Sequence, residues 1–203
     1  MTDVSGKPIY LKVSYNIEGS PFFPADYALA SIHTSFGKVY KGIRVKFNMM
    51  DDLLLMMMDD GQELVTITPV YRVIFESTFL PNIGEDNIFE RGFPAINKQT
   101  EKTWYQVLDT GKVELLKYRA VTYTDRQDYG SASITRVFEQ SESYYLYFGN
   151  ENRIAKLEKG SGDLLSLFKD KKAELHQYIE KNNLKCKKED DWKSVVAYYN
   201  SLN

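Results

Sequence analysis

From Ile9 to about Lys159 the sequence runs as short β-type stretches, in most of which apolar side chains recur at every second position, broken by turn residues such as Gly, Pro, Asn and Asp. A period of two puts one set of side chains on one face of an extended segment, so a series of this kind buries its apolar face as successive strands of a sheet. Ile9, Leu11 and Val13 alternate with polar neighbours before Gly19-Ser20-Pro21 and Pro24 interrupt. Val39-Tyr40, then Ile43, Val45 and Phe47 alternating with Arg44 and Lys46, predict one strand or two, with Gly42 as a bulge or bend.

The unbroken apolar run Leu53-Leu54-Leu55-Met56-Met57-Met58 lies between Asp51-Asp52 and Asp59-Asp60-Gly61. It is too short for an ordinary helix, and Asp60-Gly61 suits a type I′ turn, so the run reads as a strand paired through a hairpin to Glu63–Thr68. Val70 to Phe75 adds another strand. Pro81, Gly84, Gly92 and Pro94 mark a long irregular connection from Leu80 to Thr100. Trp104 to Leu108 and Val113 to Tyr118 flank Asp109-Thr110-Gly111 as a second hairpin. Val121 to Thr124, Ile134 to Phe138, Tyr144 to Phe148 and Ile154 to Leu157 continue the series. The fold class expected is α+β, mainly β: an antiparallel meander curved into a barrel-like or two-layer sheet, because a wide open sheet leaves edges and a face uncovered.

The period changes after Gly160. Leu164, Leu165, Leu167 and Phe168 suggest a short helix, and Asp170 is the expected N-cap of a second from Lys171 to Asn182. Glu189, Asp190 and Asp191 open a third, favourably against its dipole, and Trp192, Val195, Val196, Tyr199 and Leu202 form its apolar stripe. Residues 1–159 are thus a β-rich body and 160–203 a helical segment docked on it, together one structural unit.

Function is constrained mostly by exclusion. A formal charge of −2 argues against a chain whose main work is neutralising phosphates, so no nucleic-acid partner is expected. No stretch reaches the ~18 apolar residues of a membrane-spanning helix. The polar start Met1-Thr2-Asp3-Val4-Ser5-Gly6 is not a signal peptide, which leaves a cytoplasmic chain or a mature form whose leader was removed. The single cysteine, Cys186, makes no internal disulfide; it alternates with lysines and reads as a small inward-facing hydrophobe rather than a reactive thiol.

Several stretches taken in order resemble a family of uncharacterised bacterial cell-envelope proteins, secreted or lipid-anchored. They are Gly37-Lys38-Val39-Tyr40 with Val45-Lys46-Phe47-Asn48, and Phe89-Glu90-Arg91-Gly92-Phe93 leading to Trp104-Tyr105-Gln106-Val107-Leu108. Next come Gly111-Lys112-Val113-Glu114-Leu115-Leu116-Lys117 and Tyr144-Tyr145-Leu146. Asp170-Lys171-Lys172-Ala173-Glu174-Leu175 through Tyr178-Ile179, and Tyr198-Tyr199-Asn200-Ser201-Leu202, complete the set. The resemblance implies a periplasmic or outer-envelope location, with secretion or a lipid anchor outside this sequence, and brings no established activity, so it carries over no catalytic residue. The methionine-rich run departs from the usual pattern.

No catalytic constellation is readable. His33 in Ser31-Ile32-His33-Thr34 lacks a nucleophile elbow, and His176 sits among solvated helical neighbours. Zinc spacing is absent, and no cofactor is expected. Asp51-Asp52, Asp59-Asp60, Asp125 and Asp128 supply oxygen donors without EF-hand spacing. Two binding features stand out. Phe89, Arg91, Gly92 and Phe93 could form a loop site with aromatic and arginine anchors, or Phe89 and Phe93 tuck the loop into the core. Met49, Met50 and Met56 to Met58 could line an adaptable apolar groove, or simply fill the core. The expectation is a non-catalytic binding or interaction module of the envelope, taking a protein partner or an apolar ligand. The alternatives are a hydrolase with an unrecognised carboxylate site and a structural subunit of an envelope assembly.

Overall fold

As the sequence pattern predicts, the fold is mainly β with three helices at its C-terminal end, and the 53–58/63–65, 104–108/113–118 and 144–148/154–157 stretches pair as hairpins. The computed structural model describes residues 15–66, 69–76, 87–127 and 133–202. The strand expected over Ile9 to Val13 lies outside them, as do Thr68 and Asp128. The described strands are Tyr15–Glu18 (β1), Phe22–Thr34 (β2), Val39–Asn48 (β3), Leu53–Met57 (β4), Glu63–Val65 (β5), Val70–Phe75 (β6), Ile88–Glu90 (β7), Tyr105–Asp109 (β8), Val113–Gln127 (β9), Ile134–Phe148 (β10) and Arg153–Leu157 (β11). Three helices follow, Ser161–Leu167 (α1), Lys172–Lys181 (α2) and Glu189–Ser201 (α3).

All eleven strands form one mixed sheet in the order β1-β10-β9-β8-β7-β6-β2-β3-β4-β5, with β11 also on β10. The expected simple meander is corrected in two places. β1 pairs with β10 in parallel, and β2 lies between β3 and β6, so the chain crosses the sheet after β5. That crossing bends the sheet. Val65 and Val70 are joined by residues 66–69, while β4, β3 and β2 intervene between their strands. In a flat sheet four inter-strand steps span ~19 Å, whereas five extended residue steps reach ~17 Å. β2 to β6 therefore curl, but no ladder joins β5 to β6, and the sheet does not close into a barrel.

The β4–β5 hairpin forms without a type I′ turn. Gly61 alone of its turn residues has positive φ, +84°, its N–H donates to Met58 O at 3.0 Å, and Met58 N–H donates to Gln62 O at 2.9 Å. This is a type I turn followed by a left-handed glycine. Val121–Thr124 is no separate strand but the end of β9, and Ile134–Phe138 and Tyr144–Phe148 are the two ends of β10. The polar middles stay in the ladder, since register runs unbroken from Ile134↔Gln127 to Phe148↔Val113. The expected irregular connection from Leu80 to Thr100 contains β7, paired on both sides. Asp170 does not cap α2. The N-cap is Lys171 at φ +58°, and the Asp170 carboxylate accepts from the Tyr199 hydroxyl at 2.8 Å.

Three cores result. The helices lay Leu164, Phe168, Leu175, Ile179, Trp192, Val195 and Val196 on Leu108, Val113, Leu115, Leu146 and Phe148 of β8–β10. The curled strands enclose Val45, Phe47, Leu54, Val73, Phe75, Phe89 and Trp104. On the opposite face from the helices, Phe93 and Ile154 pack with Tyr105, Val107, Leu116 and Tyr145. Strand β8 is buried on both faces because it divides the last core from the first.

Candidate functional site

Directly opposed strand residues share a face, and register sends the four loop residues to different places. Phe89 is 1% exposed inside the curled core, its ring against those of Phe23, Phe47 and Phe75. Phe93 belongs to the third core, edge-on to Tyr105 and Tyr147. Gly92, at φ +103°, supplies the turn between them and donates its N–H to Glu101 O at 2.9 Å. The Arg91 guanidinium lies 4.9 Å from the Trp104 ring, and its Nε donates to Val70 O. The two aromatic rings tuck the loop into the core; they do not form an exposed surface with Arg91.

The methionine run borders open space. β4 leaves β3 after the Arg44↔Met57 pair, while β3 continues back to Val39 along β2. A cavity of about 350 Å³ occupies the fork, lined by Ile32, Tyr40, Ile43, Met56 and Met58 among others. Ile32 and Tyr40 are directly opposed, as are Met56 and Val45, so Ile32, Tyr40, Ile43 and Met56 face the inside of the curl. Val39, Tyr40, Met58, Leu64 and Val65 are exposed nearby. Met49 instead fills the curled core, and Met50 is exposed. At the mouth the Arg44 guanidinium donates to Met58 O at 3.0 Å and stands 3.9 Å from the Asp59 carboxylate. Small-molecule sites run upward from ~300 Å³ with mainly apolar walls and few polar groups, which is the character of this space.

A second cluster lies in the seam between the helical and curled cores. Lys117, 7% exposed, forms ion pairs with Glu189 of α3 and, at 3.6 Å, with Glu142 of β10. The Tyr144 hydroxyl lies 3.0 Å from Glu142 and 2.9 Å from Glu189. Arg119 donates to Glu142 at 2.6 Å and to Gln106 at 2.8 Å. The two carboxylates therefore approach within about 6 Å, a spacing compatible with glycoside hydrolysis. That chemistry needs one carboxyl held protonated at neutral pH. Here Lys117 holds Glu189 below the usual carboxylate range against its own burial, and two cations face Glu142. These ion pairs tie α3 to the sheet. The signal of this cluster was present in the sequence: Leu115, Lys117, Arg119 and Val121 share one face of β9, with two cations in core-facing register.

The remaining candidates are accounted for locally. The His33 ring meets Tyr71 edge-on, and His176 pairs with Glu180 within α2 at 3.4 Å. Cys186 is fully buried. Thr103 donates to the Asp52 carboxylate at 3.1 Å, and Arg136 grips Asp125 through two bonds of 2.8 Å. Among the described residues no three His, Cys, Asp or Glu side chains converge as a metal site, and no helix is long and apolar enough to cross a membrane. No family model matches the chain, and neither a curated protein nor a solved structure matches it.

Proposed function

We propose that this protein is a non-catalytic binding module whose site is the methionine-lined cavity, and that its ligand is a small apolar molecule. The observation that carries the reading is the fork between β3 and β4. It leaves about 350 Å³ open beside Ile32, Ile43 and Met56, side chains that face the interior of the curl. Space of that kind with apolar walls gains from taking up an apolar guest. Methionine suits the role, since its unbranched, polarizable side chain adapts to guests of differing shape. The envelope location belongs to the same proposal; its support is the sequence resemblance, and cell fractionation with an antibody against the chain tests it.

The direct test uses Nile red, a neutral apolar dye whose emission rises on leaving water. The wild-type protein is expected to bind it saturably near one equivalent. Met56→Trp, which fills the cavity, is expected to abolish binding while far-UV circular dichroism and the melting temperature hold. Absence of binding by the wild type, or binding that survives the filled cavity, counts against the reading.

A further inference from the structure

The walls and the mouth of the cavity differ in chemistry, and the difference specifies more than an apolar guest. We infer that the ligand is a single-chain amphiphile with an anionic headgroup, its tail among Ile32, Ile43 and Met56 and its head on Arg44. The inference rests on the proposed function above and goes one step beyond it.

The polar equipment of the mouth is asymmetric. Arg44 lies on β3 opposite Met57, on the other face of the strand from Ile43 and Met56, and its guanidinium reaches back to the fork, where it lines the cavity and donates to Met58 O. One donor is committed to Met58 O at 3.0 Å, which fixes the group in place. A guanidinium carries five N–H donors in a planar fork, so most remain for a guest. The acidic neighbour is held less firmly. The Asp59 side chain is fully exposed and stands 3.9 Å from Arg44, beyond hydrogen-bond length, and solvent screens a pair of that kind. Arg44 is about half-exposed, which spares it most of the desolvation cost of accepting an anion. A carboxylate or similar head displaces Asp59 from a loose contact and gains a charge-assisted, two-point one. A cationic head meets an anchored guanidinium of like charge. A headgroup without charge leaves the fork hydrated.

The test compares three ligands with one eight-carbon tail: octanoate, octanol and octyltrimethylammonium, each used below its micelle concentration to displace Nile red. Octanoate is expected to displace the dye at a concentration about tenfold lower than octanol, and the ammonium compound to be weakest. Arg44→Gln is expected to weaken octanoate far more than octanol, bringing the two within about twofold of each other. Asp59→Asn is expected to tighten octanoate and leave octanol as it was. Equal displacement by all three ligands overturns the headgroup assignment and leaves the apolar site standing, as does an Arg44→Gln variant that weakens octanol as much as octanoate. Displacement by none of them overturns the amphiphile assignment, while dye binding by the wild type and its loss in Met56→Trp decide the apolar site separately.

Discussion

Glu114 departs at the residue scale from what its type suggests, and Cys186 does so in a different way. It is half-buried on β9 opposite Tyr147, and burial first, then the Glu90 carboxylate, pushes its pKa from 4.5 up to about 7, with Arg72 pulling the other way. Well below 4.5 both folded and unfolded chains are protonated there and the residue is neutral in the balance. As pH rises from about 4.5 to 7 the unfolded chain releases its proton first, so stability falls through that window and levels off above it. Glu114→Gln keeps the shape of the protonated acid without the charge. It is expected to melt higher than wild type at pH 8, with the gap shrinking toward pH 5; a gap independent of pH would show that the carboxyl is solvated in the fold. Cys186 departs from its type as well. Burial, with the Asp191 carboxylate adding to it, raises the thiol to about 11, although Lys185, Lys187 and Lys188 adjoin it in sequence. The residue sits at φ +51° with its carbonyl bound by Trp192 Nε1 at 3.1 Å and Gly160 N–H at 2.9 Å, and its neighbours point to solvent. Iodoacetamide at pH 8 is expected to leave the folded protein unlabelled and to label it in urea; labelling at equal rates would place the thiol at the surface.

At the scale of elements, α3 is docked by polar contacts at both ends as well as by its apolar stripe. Near its start Glu189 meets Lys117 and Tyr144; near its end the Asn200 amide accepts from Val113 N–H at 3.0 Å and donates to Val113 O at 2.8 Å, as a strand neighbour would. A Cβ on Gly111 would lie 2.5 Å from the Asn200 side chain, so only glycine lets the amide reach the hairpin. Gly111→Ala and Asn200→Ala are each expected to cost about 1–2 kcal/mol in urea unfolding. Because they break one contact, the double variant is expected to cost little more than the worse single; full additivity would separate the glycine from the amide. The elements differ in how legible they were. The β4–β5 and β8–β9 hairpins and α3 could be read from sequence because turn residues and a helical stripe are local signals. The joining of 134–138 with 144–148 into one strand could not. Residues 139–142 are exposed and polar, and what keeps them extended is a backbone ladder to β9, which side-chain patterning does not report. β1 was hidden for the same reason: its place is set by parallel pairing to a strand more than a hundred residues away. Gly19 marks it, since a Cβ there would lie 2.8 Å from Phe138 O, but a glycine near a proline reads as a turn. Of the candidate site, the methionine run was visible and the fork that opens it was not, because β4 and β3 part at a register position.

At the scale of the whole molecule, the question is whether the helical and curled cores fold as one. They have separate apolar contents, and the seam between them holds Lys117, Arg119, Gln106 and Glu142 in place of apolar packing. A seam of charges on its own would let the halves part. The strands argue otherwise. β9 contributes Val113 and Leu115 to the helical core and Val121 to the curled one, and its ladder with β10 runs without a break past both. Parting the cores would take Glu189 away from the buried Lys117 and leave a long ribbon with one face uncovered, and weakening the pairing of a buried charge is costly. One cooperative unit follows. The two tryptophans provide the measurement, Trp104 in the curled core and Trp192 in the helical one. In Trp104→Phe and Trp192→Phe variants the remaining indole reports one core, and far-UV circular dichroism reports the sheet. All probes are expected to show a single midpoint within each variant, as a two-state unit requires. Fluorescence of Trp192 that changes at lower urea than the sheet signal, in the variant that lacks Trp104, would mean that the helices leave first and that the charged seam is a boundary between units.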